Sequence, residues 1–460
     1  MRNSDNLVCL GSATWHRDFS VPFFMRGGVD ILLCPCSRIC DNSSGVHQIR
    51  CVETSPFTQK TKYVKIKYLL LAAVALLING HLLSAFEGTV QTQRRSKKMP
   101  DNNPNLIDVW LGTSARKPSK GIYHCQLNVE NGKLTDPTLV AEISGPGFLA
   151  MHPTLPRLYA VGGVEGKPSV AAYKIAGVGK QAALELLNAV EIGDGGAAHV
   201  SVDETGSTLL TAQYGGGSTG VFSLNADGSI KKRQQIIDHQ GASNAVPQRQ
   251  SASHAHWTGF SPDNRFAFVP DLGLDKVVIY KHNKVDISLT AHGFGQISAG
   301  GGPRHMKFHN NGRWIYVLHE LDLKVTVFDY DADAGTMEAR QTVETVPRDL
   351  LEKEKFKSCS EIRVHPSGKF VYAANRGHDT ITAFAVNQDT GELTFVEREN
   401  VRGATPRNFN IDPSGRWLLA AGQDSHTLAC FEIDQDSGEL AYNRSVVHAP
   451  SCICVLFGHE

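Results

Sequence analysis

The amino-acid sequence predicts an all-β protein, and more specifically a seven-bladed β-propeller with four-stranded antiparallel blades. Six segments repeat one pattern of strand, Pro/Gly/Asn turn and apolar strand, and their first residues lie roughly 47 to 58 residues apart, the length of a propeller blade. The 43 glycines and the hydrophobic content of 41% suit many short strands joined by tight turns. The six segments begin at His152, Asp203, Ser261, His309, His365 and Asp412.

The seventh blade has to be assembled from the two ends of the propeller region, which we place at residues 104–460. A strand pair near Leu106 and Gly121–Leu134 supplies its N-terminal part, and Ser451–Phe457 is a lone apolar strand after the sixth repeat. We expect this strand to join the N-terminal blade, because that closes the ring and removes an open sheet edge. Cys452 and Cys454 are then ordinary alternating strand residues, and an isolated disulfide stays open as an alternative for an exported protein.

Two segments interrupt the strand pattern. Arg348–Lys357 is a charged insertion before a blade and is the best candidate for a helix. The glycine-rich stretch Ser298–Pro303 leads into a strand and lacks the helix that a phosphate-binding loop needs. We therefore interpret it as a turn that allows close backbone approach.

Residues 1–98 form an atypical N-terminal extension without the strand repeat, and they contain five of the ten cysteines. A zinc cluster of Cys34, Cys36, Cys40 and Cys51 is one interpretation, but the spacing is not that of a usual zinc knuckle. The favoured interpretation is an unstructured extension, or one upstream of the true start of translation.

A segment at about 60–86 within this extension has the pattern of a secretory signal peptide. Basic residues from Lys60 to Lys67 precede a short apolar run from Tyr68 to Ile78, and small residues follow at His81–Ala85. The alternatives are an uncleaved signal anchor, which would place the protein on a membrane, and a buried helix. We expect a periplasmic or secreted protein if the signal functions, and a cytoplasmic one if translation starts near Met99.

Composition limits the possible partners. The formal net charge is zero and the pI is about 7.3, which argues against a general nucleic-acid binder. No convincing carboxylate or histidine cluster suggests a metal, and we expect neither a metal nor a cofactor. We also expect no serine nucleophile elbow, on the ground that the chain lacks the Gly-x-Ser-x-Gly pattern. We expect a monomer, because a closed ring leaves no sheet edge for a partner.

The repeat defines columns of equivalent positions, and two columns carry unusual charge. Both lie about eight residues from the turn, on opposite arms of each hairpin, and so should meet at one mouth of the central channel. Five residues before the first residue of each repeat, the column contains Gly147, Ala198, His256, Arg304, Ser360 and Arg407. Eleven residues after it, the column contains Gly163, Tyr214, Leu272, Glu320, Arg376 and Gln423.

Charge gathers on one arc of these columns, in the last four repeats. The structural interpretation is a salt-bridge ring of Glu320 with Arg304 and Arg376 around a solvated channel. Because three arginines, including Arg407, exceed the one carboxylate, we favour a functional site for an anionic ligand.

Other polar residues near the columns are weaker candidates. Strand alternation should turn the histidines that lie one or two places off the columns away from the channel. These are His199, His254, His305 and His319. Asp271 and Asn375 precede column residues and could support the site from behind.

Four stretches of the chain resemble a known family. They are His256–Val277, Gly300–Leu321, Glu361–Phe384 and Thr405–Leu428. Their phrases, such as SHAHW, GPRH, LHEL and ANRG, closely resemble those of the seven-bladed propeller lactonases. That family includes bacterial propeller-type 6-phosphogluconolactonases and fungal 3-carboxy-cis,cis-muconate lactonizing enzymes. The resemblance covers about Leu106 to Phe457.

The resemblance implies a catalytic quartet of one histidine, two arginines and one glutamate. By motif these fall on His256, Arg304, Glu320 and Arg376, with Arg407, Tyr214 and Gln423 expected to bind substrate. It implies hydrolysis of a small anionic lactone, with 6-phospho-D-glucono-1,5-lactone as the first expectation. The alternatives are a muconate-type cycloisomerase, an exported lactonase for another acid lactone, and a propeller that only binds a ligand.

Overall fold

The computed structural model describes residues 105–177 and 179–458. The predictions for residues 1–98, namely the signal-like segment and the N-terminal cysteines, lie outside the described residues. In the described part, 28 strands form seven separate four-stranded antiparallel sheets, which confirms the predicted seven-bladed propeller.

The first blade joins the two ends of the propeller region, as predicted. The C-terminal strand β28 (Cys452–Phe457) pairs antiparallel with β1 (Leu106–Thr113). The sheet continues with β2 (Gly121–Asn128) and β3 (Thr138–Glu142). Backbone pairing between the last and the first strand of the described residues therefore closes the ring.

The other six blades run in chain order, each from an inner to an outer strand. Blade 2 contains β4 (Ser144–Met151), β5 (Arg157–Val164), β6 (Lys167–Ala176) and β7 (Ala183–Glu191). Blade 3 contains β8 (Ala197–Val202), β9 (Thr208–Gln213), β10 (Ser218–Leu224) and β11 (Ile230–Asp238). Blade 4 contains β12 (Gly259–Phe260), β13 (Phe266–Asp271), β14 (Lys276–Asn283) and β15 (Ser288–Gln296).

Blades 5 to 7 carry most of the charged columns. Blade 5 contains β16 (Pro303–Phe308), β17 (Trp314–His319), β18 (Lys324–Asp331) and β19 (Thr336–Glu344). Blade 6 contains β20 (Ser358–Val364), β21 (Phe370–Arg376), β22 (Thr380–Val386) and β23 (Leu393–Asn400). Blade 7 contains β24 (Pro406–Ile411), β25 (Trp417–Gly422), β26 (Thr427–Ile433) and β27 (Leu440–His448).

Helix is confined to two short pieces of the described chain. A 3-10 turn spans Gly179–Gln181, and α1 spans Arg348–Leu351. The predicted helix over Arg348–Lys357 is therefore much shorter than expected, because the segment from 352 onward leaves the helix and runs to β20. None of the described helices has the length and hydropathy to cross a membrane.

A repeated tyrosine links each of three blades to the next. The hydroxyl groups of Tyr159, Tyr316 and Tyr372 are buried and donate hydrogen bonds to glycine carbonyls at 2.7, 3.1 and 2.8 Å. The accepting residues are Gly228, Gly391 and Gly438, all with φ between 77° and 82°. That backbone conformation favours glycine, so the tyrosine and the glycine turn of the following blade form one interlocking unit.

Candidate active site

β-Bulges at one level of the inner strands determine which side chains face the channel. In β8, β16 and β24, the pairing skips one residue, namely Ala198, Arg304 or Arg407. Register also shifts at this level in β4, β20 and β28. A bulge adds an unpaired residue and re-aims its side chain, so two consecutive residues reach the channel.

The second predicted column lies at the ends of the neighbouring strands. Glu320 directly follows β17, Tyr214 directly follows β9, and Arg376 is the last residue of β21. Antiparallel pairing brings these strand ends level with the bulges of the inner strands. The two columns therefore meet at the same mouth.

Glu320 is the centre of a cluster of ion pairs. Its Oε2 atom lies 2.9 Å from Nε of Arg304, and its Oε1 atom lies 3.3 Å from Nη2 of Arg376. A third arginine, Arg249, places Nη2 at 2.6 Å from Oε1 and donates a second bond to the hydroxyl of Tyr214 at 3.2 Å. The expected salt bridges of Glu320 with Arg304 and Arg376 are therefore present, and Arg249 adds a third arginine that the sequence did not predict.

These charges determine the ionisation of Glu320. Burial alone raises the pKa of this carboxyl, but the positive charges of Arg376, Arg304 and Arg249 outweigh burial and bring the pKa to about 2. Glu320 is therefore a carboxylate at neutral pH. A carboxylate with so low a pKa accepts a proton weakly.

His256 has the opposite character. Burial and the nearby charge of Arg304 hold the pKa of its imidazole well below the ordinary value, so the ring is neutral at pH 7. Its Nδ1 atom is buried and has no hydrogen-bond partner among the described residues. The ring packs edge-on against Tyr214 at 5.4 Å and against His305 at 5.4 Å between centroids.

The mouth contains a cavity of about 540 Å³. A smaller cavity of about 140 Å³ shares His256 and Arg407 with the first and is also lined by Arg304 and His305. Five of the seven predicted site residues line the larger cavity, namely Tyr214, His256, Glu320, Arg376 and Arg407.

Arg407 differs from the other arginines of the mouth because it has no counter-ion. Among the residues that the structure describes, its guanidinium has no ion pair or hydrogen bond. Burial and the nearby charge of Arg376 lower its pKa to about 10, so it remains positively charged at neutral pH. The Nε atom of Arg376 is also buried without a partner in the described chain. An unpaired guanidinium group in a cavity, here that of Arg407, favours an anionic ligand.

Arg304 and Gln423 occupy less open positions. Arg304 is 2% exposed and is held by Glu320, by the carbonyl of Ser360 and by Nε2 of His305. Gln423 is buried and does not line the mouth cavity. The structure therefore brings six of the predicted side chains into one cluster and leaves Gln423 at its edge.

Two residues of the mouth lie outside the repeat and were missed by the sequence reasoning. Arg249 comes from the segment 239–258 between β11 and β12, and Phe356 comes from the insertion before β20. The Phe356 ring is 51% exposed and lies 5.7 Å from the guanidinium carbon of Arg376. The sequence contained one signal for these residues, namely that both connections are unusually long. Long loops on a rigid scaffold commonly carry functional residues.

The prediction that the off-column histidines turn away from the channel is wrong for two of them. His305 lines the small cavity beside Arg304, and its ring lies 5.6 Å from that of His199. The bulge at Arg304 breaks the strict alternation on which the prediction relied. His319 behaves as expected and bonds Asp322 and Thr326 in its own blade.

Of the residues expected to support the site from behind, His254 contacts Tyr214 and Asp271 holds His254. The ring of His254 stacks on Tyr214 at 4.5 Å and donates to the Tyr214 carbonyl at 2.7 Å. Asp271 accepts from the backbone N–H of His254 at 2.7 Å. Asn375 bonds Thr380 and Thr382 within its own blade.

The glycine-rich turn before Arg304 is not an anion site. The backbone N–H groups of Gly300 and Gly302 both donate to the carboxylate of Asp275, each at 2.8 Å. Both glycines have φ in the left-handed region, at 82° and 63°. The turn therefore uses its amides to fix the start of β16, which positions Arg304.

The prediction that the chain lacks the sequence pattern of a nucleophile elbow is wrong, because Gly216–Gly220 has the Gly-x-Ser-x-Gly spacing. The central Ser218 is the first residue of β10, follows a turn between two strands, and is buried. Its hydroxyl donates to Asp194. A nucleophile elbow needs a strand-to-helix turn with an exposed serine, so this match carries no nucleophile.

The described chain offers no cluster of three or more His, Cys, Asp or Glu residues arranged to hold a metal ion. Its five cysteines, which include Cys452 and Cys454, are free and buried. The cysteines are therefore packing residues of the strands.

Comparisons with known proteins agree with this architecture. The chain is 36% identical over 300 residues to the 6-phosphogluconolactonase of Bacillus subtilis, a match that covers 65% of this chain and 83% of that protein. Its structure is similar to that of a putative 6-phosphogluconolactonase from Bacteroides uniformis, with a TM-score of 0.71 and 30% identity, over 77% of this chain and 100% of that one. It is equally similar to a periplasmic gluconolactonase from Pseudomonas aeruginosa, with a TM-score of 0.71 and 30% identity, over 77% of this chain and 99% of that one.

The model of one family matches residues 108–457, nearly the whole described region. With the seven closed blades, this match shows that the chain belongs to the family described as "Lactonase, 7-bladed beta-propeller".

Proposed function

We propose that the protein hydrolyses 6-phospho-D-glucono-1,5-lactone to 6-phosphogluconate by metal-independent acid–base catalysis. Relatives named 6-phosphogluconolactonase, from Bacillus subtilis and from Formosa agariphila, support a hydrolase acting on lactone esters. Support for a phosphorylated substrate comes from the composition of the mouth. There Arg407 has no counter-ion and lines the same cavity as the neutral His256. The planar fork of an unpaired guanidinium matches the geometry of a phosphate group.

Opening a lactone requires an activated water, a stabilised oxyanion and a proton for the ring oxygen that leaves. His256 is the better base of the two candidates, because its ring is neutral at pH 7, whereas Glu320 has a pKa of about 2. His256 takes the proton of the attacking water and returns it to the leaving alkoxide. Glu320 stabilises the positive charge that His256 carries between these two steps.

The arginines divide between stabilisation and binding. The three partners of Arg304 fix it in place, so it positions Glu320. Arg376 lines the cavity and is suited to stabilise the oxyanion at the lactone carbonyl. Arg407 holds the phosphate, and Tyr214 forms the wall beside His256.

An exported gluconolactonase is the second candidate function. The similarity to the periplasmic gluconolactonase of Pseudomonas aeruginosa and the signal-like segment at 60–86 favour it. The relatives from Bacillus subtilis and Formosa agariphila are named as lactonases, and their names give no support to the cyclisation alternative. A binding module without turnover leaves the neutral, unpartnered His256 unexplained.

The test is ring opening by the full chain, measured on the phosphorylated lactone and on unphosphorylated glucono-1,5-lactone, each against its spontaneous rate. The Glu320→Gln protein is the control, and a thermal melt establishes that it is folded. Fast opening of the phosphorylated lactone that requires Glu320 supports the proposal. Preference for the unphosphorylated lactone favours the exported enzyme, and no opening above the spontaneous rate contradicts a lactonase.

A further inference from the structure

A second cavity, of about 590 Å³, lies at the opposite end of the channel from the active-site mouth. It is lined by the residues two places before the first residue of each repeat, at the turn end of the inner strands. These are Ala150, Ser201, Gly259, Lys307, Arg363 and Asn410. The layer between the two ends contains His305, whose ring donates to Glu361 at 3.0 Å.

Two basic side chains line this cavity from neighbouring strands. Lys307 lies on β16 and Arg363 on β20, which contact each other. Among the described residues, the ammonium group of Lys307 has no hydrogen bond or ion pair, and it lies 5.0 Å from the centre of the Trp257 ring. Arg363 uses Nε and Nη2 on Phe409 and Glu361, which leaves Nη1 without a partner in the described chain.

One buried carboxylate, Glu361, lies beside the two cations and pairs with Arg363 at 3.4 Å, which leaves the two basic groups in excess by one. Glu361 is fully buried, and it already accepts from His305 at 3.0 Å, from Asn408 at 2.5 Å and from its neighbouring backbone N–H at 3.0 Å. The other carboxylate of the lining, Glu204, is exposed at the rim. Burial and repulsion from Arg363 outweigh the attraction of Glu361 and lower the pKa of Lys307 to about 7, so a bound carboxylate would favour the charged form of the amine.

The rest of the wall is apolar and aromatic. Phe148, Met151, Trp257, Phe260 and Phe308 line the cavity together with the two cations. A concave site with apolar walls and a few convergent charges is typical of a small-molecule site. Its lining differs from that of the active-site mouth, which contains three arginines. Among the described residues, the aromatic side chains that line the mouth are Tyr214, His256 and Phe356.

We propose that this end of the channel binds a small carboxylate with an apolar body, such as an arene carboxylate. Lys307 and Arg363 bind the carboxylate, and Trp257 packs against the ring. The site is distinct from the catalytic mouth, and the proposal does not depend on the lactone that the mouth hydrolyses.

Isothermal titration of the full chain with benzoate tests the proposal, with neutral benzamide and inorganic phosphate as comparison ligands. We expect saturable benzoate binding, with benzamide and phosphate each roughly tenfold or more weaker, because the site uses both charge and apolar contact. Lys307→Met and Arg363→Met should each weaken benzoate binding by roughly tenfold or more, and Lys307→Arg should retain it.

Two variants control for location and for net charge. Lys369→Met removes an exposed charge from a turn at the same end, and Arg407→Met removes a charge from the catalytic mouth. Both should bind benzoate like the wild type, and melting temperatures establish that all variants are folded. The proposal would be overturned if Lys307→Met and Arg363→Met bound benzoate with wild-type affinity. It would also be overturned if Arg407→Met alone lost binding, or if benzamide bound as well as benzoate.

Discussion

The Nε2 atom of His256 lies 3.9 Å from Oε2 of Glu320, which is too far for a hydrogen bond but close enough for strong electrostatic coupling. The glutamate makes its hydrogen bonds and ion pairs with arginines, and the histidine stays neutral. A proton that arrives on His256 therefore meets a fixed negative charge without being transferred to it. This relationship is the basis of the division of roles that we propose.

Replacement of His256 by asparagine should lower kcat by roughly 10²- to 10⁴-fold, the usual contribution of a general base. Because its pKa lies below the ordinary 6.5, the base is already deprotonated at neutral pH. The wild-type rate should therefore be flat near pH 7 and fall only as pH drops well below 6.5. The measurement is the pH profile of kcat/KM on one substrate for both proteins, and an unchanged acid limb in His256→Asn would assign the base elsewhere.

Glu320 should make the protein sensitive to acid. Its pKa is about 2 in the folded chain against 4.5 for the free group, so its stabilising effect is complete above pH 4.5 and is lost as pH falls towards 2. Between pH 5 and pH 3, the free energy of unfolding should fall by about 2 kcal/mol more in the wild type than in Glu320→Gln. Denaturant unfolding at the two pH values measures this difference, and equal losses in both proteins would contradict the low pKa.

Arg407→Met should separate binding from chemistry. We expect KM for the phosphorylated lactone to rise roughly 10- to 100-fold, because one charge-assisted interaction is worth about 1.5–3 kcal/mol. The KM for unphosphorylated gluconolactone should change little. Arg402→Met, which removes a surface arginine that pairs with Glu399 in the same part of the chain, is the matched control. A parallel loss on both lactones would mean that Arg407 does not recognise the phosphate.

The interblade tyrosines should each contribute to stability through one hydrogen bond. Tyr372→Phe removes the buried bond to the Gly438 carbonyl and should lower the free energy of unfolding by about 1 kcal/mol. Tyr442→Phe is the control, since Tyr442 is only partly buried and its hydroxyl has no hydrogen bond among the described residues. Chemical denaturation compares the two, and similar values for both variants would show that the interblade bond adds nothing.

The repeat made most of the fold predictable. Hairpin patterns at blade-length spacing fix the number of blades, and the lone strand Cys452–Phe457 can be buried only by pairing with the first blade. The same frame predicted that His256, Arg304, Glu320 and Arg376 lie together, because equivalent positions in equivalent blades face the same channel. The short helix Arg348–Leu351 was poorly predicted, because local charge patterns do not fix where a helix ends.

Tertiary structure alone decided the finer features of the site. The inner-strand bulges turned His305 and His199 into the channel against simple alternation, and bulges carry no clear sequence signal. Arg249 joined Glu320 from a loop outside the repeat, and only the folded chain brings residues 71 positions apart into contact. The sequence by itself determined the propeller and the charged residues of the two columns, since both follow from periodicity. The protonation states of His256 and Glu320 depend on burial and on distances between charges, which exist only once the blades have closed into a ring.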